Sequence, residues 1–130
     1  MTKIFEVERA VRTPLIYLNS ETGILEFKGK SIPENTVLFY EPVFEWIDMY
    51  MLTPFRTTTL NVQLDYFNTS SAKIYADLFK KMEILHSSSK SEVTVNWYYE
   101  DIDDDLLEAG ESYQSITKVP FNLIPFTDTE

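Results

Sequence analysis

A change in hydrophobic period near residue 68 constrains the fold of this chain more than any other feature. Before it, apolar side chains recur at every second position, as in a half-buried strand, at Leu60, Val62, Leu64 and Tyr66. After it, they recur at helical spacing, at Ile74, Leu78, Met82 and Leu85. The intervening residues 68–71, Asn-Thr-Ser-Ser, must therefore form a turn from a strand into a helix.

The remaining patterns predict an α/β fold. Two apolar runs, 13–18 and 24–28, are separated by a short polar loop that ends in Gly23, which is typical of a β-hairpin. In the second half, a strand is predicted at 58–67, followed by a long helix from Ser70 or Ser71 to about His86 and a strand at 93–99. A short helix that begins at 101–105 and an edge strand at 119–124 are predicted after them. The prediction is a mixed sheet of four to five strands packed with two main helices and a short third one.

The segment after the hairpin predicts the first main helix. Ser31 and Glu34 have the spacing of a capping box, and Pro33 falls in the first turn, where its missing N–H does no harm. We therefore expect the helix to begin there. Pro42 cannot donate an intrahelical hydrogen bond, which predicts a kink or a restart near Glu41.

Length and composition exclude several classes of function. The 130 residues fit a single domain, 1–130, and the absence of cysteine excludes disulfides and thiolate metal sites. Twenty-one acidic and eleven basic residues give a net charge of −10, which opposes binding to nucleic acid or anionic lipid and favours a protein partner. Neither a leader-like N-terminus nor a membrane-spanning apolar run is present, so a cytoplasmic location is expected.

Thr69 lies where added negative charge is favoured. A helix start leaves backbone N–H groups unpaired, and the helix macrodipole places partial positive charge there. A phosphate on a hydroxyl at this turn is therefore well accommodated. The purely structural interpretation, a threonine that caps the helix with its side-chain oxygen, explains the same pattern and stays open on the residues alone.

The neighbours of Thr69 are candidates for supporting roles. Asn68 is expected to shape the turn, and Ser70 and Ser71 are expected to cap the helix or fill its first turn, although chemistry alone does not exclude their modification. Asp65 and Lys73 are candidate contacts for a phosphate or a partner. The simpler interpretation of both residues is a charged side chain that is exposed to solvent and has no functional role.

The chain carries no enzyme signature. A glycine-rich phosphate loop, a nucleophile elbow and a zinc motif are all absent from the sequence. The acidic run 100–105 lacks the glycine and the closing glutamate of a calcium loop, and a solvated helix start explains it better. His86 is the only histidine and is expected near a helix C-terminus, while Trp46 and Trp97 are expected to pack in the core. No metal or cofactor is expected.

The chain resembles the SiaC family of bacterial biofilm-regulation phosphoproteins. The resemblance rests on the run Tyr-Phe-Asn-Thr-Ser-Ser-Ala-Lys at 66–73, preceded by Ser-Ile-Pro-Glu-Asn at 31–35 and Glu-Trp-Ile at 45–47. It implies a single domain similar to the STAS domains of anti-sigma-factor antagonists, switched by phosphorylation of the turn threonine, here Thr69. It also implies a partner kinase, a PP2C-like phosphatase, and a diguanylate cyclase that the unphosphorylated form binds and promotes. Such a protein is a regulator of c-di-GMP signalling and not an enzyme.

Two alternative functions remain at this point. The STAS-like fold also suits an anti-sigma-factor antagonist, which is an argument from fold analogy alone. The second alternative, from another class, is a small ligand- or metal-binding domain that uses the acidic run 100–105.

Overall fold

The computed structural model describes residues 2–128 and contains one six-stranded sheet with three helices. The strands are β1 (Ile4–Val7), β2 (Leu15–Asn19), β3 (Ile24–Ser31), β4 (Thr57–Phe67), β5 (Glu92–Glu100) and β6 (Phe121–Phe126). The helices are α1 (Thr36–Tyr50), α2 (Thr69–Ser87) and α3 (Asp104–Ile116). The spatial order of the strands follows the chain from β1 to β6.

Two kinds of strand pairing make up the sheet. β1, β2 and β3 pair antiparallel, and β3, β4, β5 and β6 pair parallel through the three helices. Because each crossover steps one strand in the same direction, right-handed connections place all three helices on one face. The burial of side chains along β4 agrees with a sheet covered on one face. Leu60, Val62 and Leu64 are at most 2% exposed, whereas Asn61 and Gln63 are partly exposed.

The predicted fold class is confirmed, but the strand count was one too low. The predicted runs correspond to β2, β3, β4, β5 and β6, and β1 was missed. This strand has only four residues and pairs along β2 at the edge of the sheet, with Ile4 opposite Asn19 and Val7 opposite Ile16. A run this short carries too little alternation to be recognised from the sequence.

The predicted start of α1 was wrong. Ser31 does not cap a helix: it is the last residue of β3, and its side chain is fully buried. The cap is Asn35, whose side-chain oxygen accepts the backbone N–H of Leu38 at 3.0 Å. Of the two outcomes predicted near Glu41, the restart is wrong, because the helix continues through Pro42 without interruption, and the kink stays a prediction.

Helix α3 shows why a glycine lies in its middle. Gly110 packs so closely against the sheet that an added Cβ would lie 2.5 Å from Cδ1 of Trp97 and 2.8 Å from Cδ2 of Leu123. Close approach of the helix therefore requires glycine here. Both tryptophans are buried, as predicted: Trp97 is 1% exposed and Trp46 is 5% exposed.

None of the helices within residues 2–128 has the length and apolar character needed to cross a bilayer.

Candidate functional site

The Asn-Thr-Ser-Ser turn joins the end of β4 to the start of α2. Asn68 is the helix cap, and its side-chain oxygen accepts the backbone N–H of Ser71 at 2.9 Å. Its own N–H donates to the carbonyl of Ser31 at the end of β3, at 3.2 Å. Thr69 is therefore the first residue of α2, and the interpretation of Thr69 as the cap is wrong because Asn68 performs that role.

Thr69 presents its hydroxyl to solvent. The residue is exposed, and no group within residues 2–128 forms a hydrogen bond with its side chain. Its backbone N–H and that of Ser70 lie in the first turn of α2, where the helix itself supplies no acceptor. An anionic group on Thr69 is thus placed at the positive end of a 19-residue helix.

Ser70 differs from Thr69 because its hydroxyl is already occupied. Its Oγ lies 2.7 Å from Oγ1 of Thr36, the first residue of α1, and donates to the side-chain oxygen of Asn68 at 3.2 Å. Since Ser70 has one proton and the amide oxygen only accepts, Thr36 is the donor to Ser70. The starts of α1 and α2 are therefore hydrogen-bonded to each other through this serine.

Ser71 is fully buried and belongs to a chain of hydroxyls under the turn. Its Oγ donates to the carbonyl oxygen of Ser31 at 2.8 Å and lies 2.7 Å from Oγ of Ser31. The chain continues from Ser31 to the hydroxyl of Tyr40 at 2.6 Å, and from Tyr40 to that of Tyr75 at 2.9 Å. We call Tyr75, Tyr40, Ser31 and Ser71 the switch-side hydroxyl chain.

Burial keeps both tyrosines of this chain protonated. Desolvation raises the pKa of Tyr40 above its usual value, and burial raises the pKa of Tyr75 well above its usual value. Both phenols therefore remain hydrogen-bond donors at neutral pH. No side-chain nitrogen or oxygen buried within residues 2–128 lacks a hydrogen-bond partner.

Comparison with known proteins assigns the chain to a family. A family model described as SiaC family regulatory phosphoprotein matches residues 7–126. The chain belongs to the SiaC family. Membership confirms the resemblance seen in the sequence and places the chain among regulatory proteins rather than enzymes.

Solved structures of SiaC share this fold. The crystal structure of apo-SiaC from Pseudomonas aeruginosa superposes with a TM-score of 0.86 at 25% identity, over 95% of this chain and 99% of that one. A chain of the crystal structure of the diguanylate cyclase SiaD in complex with its activator SiaC, also from Pseudomonas aeruginosa, gives a TM-score of 0.88 at 25% identity, over 94% and 99% of the two chains. An uncharacterized protein of Pseudomonas aeruginosa strain UCBPP-PA14 is 28% identical over 109 residues, or 84% of this chain and 86% of its own length.

Two other predicted site residues of this SiaC-family chain lie beside the turn. Asp65, near the end of β4, is an exposed carboxylate that forms an ion pair with Arg9. Lys73 is exposed in α2 four residues after Thr69, a spacing that places the two side chains on the same side of the helix.

A groove between α1 and α2 opens next to the turn. Its volume is about 740 Å³, and its apolar lining consists of Val37, Phe44, Ile74 and Ile84. Carboxylates outnumber lysines along it, with Glu41, Glu45, Asp48 and Asp77 against Lys80 and Lys81. Val37, which lines the groove, directly follows Thr36, the residue that bonds to Ser70, so one end of the groove lies near the turn.

The acidic run serves the start of α3. Asp103 caps that helix by accepting the N–H of Leu106 at 3.0 Å, and Asp104 and Asp105 occupy its first turn. Within residues 2–128, no cluster of three or more histidine, cysteine or acidic side chains has the arrangement to hold a metal ion. His86 lies in the last turn of α2 as expected, and its Nδ1 accepts the N–H of Val93 at 3.1 Å.

Three residues of the site escaped sequence reasoning. Ser31, Thr36 and Tyr40 support the turn through partners that lie 40, 34 and 35 residues away in the chain. No local motif marks such pairs. The only signal was indirect, because Ser31 lies in the run Ser-Ile-Pro-Glu-Asn on which the family resemblance rests.

Proposed function

We propose that this chain is a phosphorylation-controlled partner-switching regulator, and that Thr69 is the residue that is phosphorylated. Its unphosphorylated form binds and promotes a diguanylate cyclase, and a phosphate on Thr69 blocks that binding. A protein kinase adds the phosphate and a PP2C-like phosphatase removes it. The chain acts as one domain in the cytoplasm. The cyclase is proposed because the similar SiaC is named as the activator of the diguanylate cyclase SiaD.

A single observation carries the choice of Thr69. The side chains of Asn68, Ser70 and Ser71 are all engaged in hydrogen bonds that hold the turn, whereas the Thr69 hydroxyl is exposed and, within residues 2–128, without a partner. Its modification therefore costs the fold no hydrogen bond. Ser71 would have to leave the packed interior before any kinase could reach it.

The physical effect of the phosphate follows from its position. A phosphothreonine carries about 1.5 to 2 negative charges at neutral pH and three strong acceptor oxygens. On Thr69 these oxygens are near the unpaired N–H groups of the first turn, so the helix start is stabilised and not melted. A partner seated over the turn and the adjoining groove meets new bulk at the turn, and an apolar partner surface there would have to desolvate the charged phosphate, which disfavours binding.

Phosphosite mapping tests the assignment. The chain is incubated with ATP and the kinase fraction of its own organism, and the modified peptides are sequenced. We expect the phosphate on Thr69, with labelling abolished in Thr69→Ala. Thr57→Ala is the matched control, because Thr57 is an exposed threonine at the start of the same strand that ends at the turn. Modification confined to residues other than Thr69 would overturn the proposal.

A further inference from the structure

The structure contains two hydroxyl chains of the same design. In the second one, Ser91 Oγ donates to the carbonyl of Phe55 at 2.6 Å and lies 2.6 Å from Oγ1 of Thr58. Oγ1 of Thr58 in turn lies 2.7 Å from the hydroxyl of Tyr50. Like the switch-side chain, it links a tyrosine of α1 to a buried serine that donates to a backbone carbonyl. It lies at the start of β4, whereas the switch-side chain lies near its end.

The switch-side chain differs because its last serine belongs to the turn. Ser71 is the third residue of α2, two positions after Thr69, and both its N–H and its Oγ are hydrogen-bonded. A first helical turn ordinarily frays, since its N–H groups have no intrahelical acceptors. Here the buried bond to Ser31 ties that turn to the end of β3.

We propose that Ser71 is a positioning residue for the switch: its buried hydroxyl latches the first turn of α2 to β3 and thereby fixes how the Thr69 hydroxyl is presented to the kinase. The proposal rests on the proposed function for the role of Thr69. The latch itself is a property of the chain alone.

Three observations carry the latch. Ser71 is 0% exposed, so no water replaces its bonds while the turn stays closed. Ser31 supplies both partners of the Ser71 hydroxyl, its carbonyl at 2.8 Å and its own hydroxyl at 2.7 Å. The carbonyl of Ser31 also accepts the N–H of Asn68, the cap of the same turn. The turn is therefore held from both of its ends by a single residue of β3.

The position of Thr69 matters because phosphoryl transfer needs the acceptor hydroxyl in line with the phosphate donor. Misplacement of a reacting group by about 1 Å can cost on the order of 100-fold in rate. Once the turn opens, Thr69 samples many conformations and few of them are productive. Removal of the Ser71 hydroxyl should therefore slow transfer to a residue that it does not touch.

The test compares Ser71→Ala with Ser91→Ala in the full chain. Both variants remove a buried serine hydroxyl that donates to a carbonyl, so both are expected to lower global stability to a similar extent. Amide hydrogen exchange is measured at residues 71–73 for local opening, and kcat/KM is measured for phosphorylation of Thr69. We expect Ser71→Ala to accelerate exchange at these amides about tenfold beyond the change seen in Ser91→Ala. We also expect it to lower kcat/KM about tenfold, with Ser91→Ala unchanged.

The two readouts separate this inference from the proposed function. Equal exchange at residues 71–73 in the two variants overturns the latch, whichever residue the kinase modifies. Faster exchange with unchanged kcat/KM overturns the positioning role. A wild-type chain that is never phosphorylated on Thr69 overturns the proposed function and the positioning role, while the exchange comparison still decides the latch. If Ser71→Ala fails to fold, Ser71→Cys, with a weaker donor of similar size, takes its place in both measurements.

Discussion

The hydroxyl of Ser71 donates to the carbonyl oxygen of Ser31 at 2.8 Å, and this bond sets the direction of every other bond in the switch-side hydroxyl chain. A carbonyl only accepts, so the single proton of Ser71 is used there. Ser71 must then accept from Ser31, Ser31 from Tyr40 and Tyr40 from Tyr75. The four hydroxyls therefore donate in one order, which begins at Tyr75 and ends at the backbone of β3.

This order predicts unequal effects for the two tyrosines. Tyr40→Phe leaves the buried O–H of Tyr75 without an acceptor, which costs about 1–3 kcal/mol. Tyr75→Phe removes only the first donor, and Tyr40 still donates to Ser31, so about 0.5–1.5 kcal/mol is lost. Urea unfolding of both variants, monitored by circular dichroism, measures the difference. A larger loss in Tyr75→Phe than in Tyr40→Phe would contradict this order of donation.

A second prediction concerns the contact between α3 and the sheet. Gly110→Ala should destabilise the protein, although alanine favours a helix interior over glycine by about 1 kcal/mol. The new Cβ would lie 2.5 Å from Cδ1 and 2.7 Å from Nε1 of Trp97, and such overpacking costs about 1–3 kcal/mol. Thermal unfolding should therefore show a lower Tm. Glu108→Ala, at an exposed site of the same helix, is the control and should change Tm little. A Tm above the wild-type value in Gly110→Ala would contradict the close approach.

A third prediction concerns alkaline pH. Burial raises the pKa of Tyr113 to about 12, against about 10 in the unfolded chain. Above pH 10 the unfolded chain releases this proton while the native state keeps it. The contribution of Tyr113 to the free energy of unfolding is therefore fully present below pH 10 and is lost as the pH rises toward about 12. Urea midpoints measured from pH 8 to pH 11 should fall above pH 10, and less steeply in Tyr113→Phe. Equal slopes in the two proteins would contradict this contribution of Tyr113.

Patterns within one element predicted most of the fold. Alternation along β4 and β5, and helical spacing along α2, each arise within one segment, so the sequence displays them directly. The start of α1 was misjudged because Ser31 has the spacing of a capping serine, yet tertiary contacts give it another role. Local propensity is a weak guide wherever a buried partner lies far away in the chain.

The sequence predicted those parts of the candidate site that adjacent residues define. It missed the contacts between residues that are far apart in the chain. The turn, Thr69 and the shaping role of Asn68 follow from adjacent residues. Asp65 forms an ion pair with Arg9, 56 residues away in the chain, and no periodic pattern in the sequence predicts such a pair. Glycine disfavours a helix interior, and only the position of Trp97 shows that Gly110 is required there. Contacts across the sheet become visible only once the strands are in register.

We propose that phosphorylation of Thr69 decides whether the partner binds. The most direct measurement is the affinity of the diguanylate cyclase from the same organism for the unmodified chain and for the chain phosphorylated stoichiometrically on Thr69, by isothermal titration calorimetry. We expect tight binding of the unmodified chain and an increase in Kd of at least about tenfold on phosphorylation, equivalent to about 1.4 kcal/mol. Equal affinity of the two forms would contradict it.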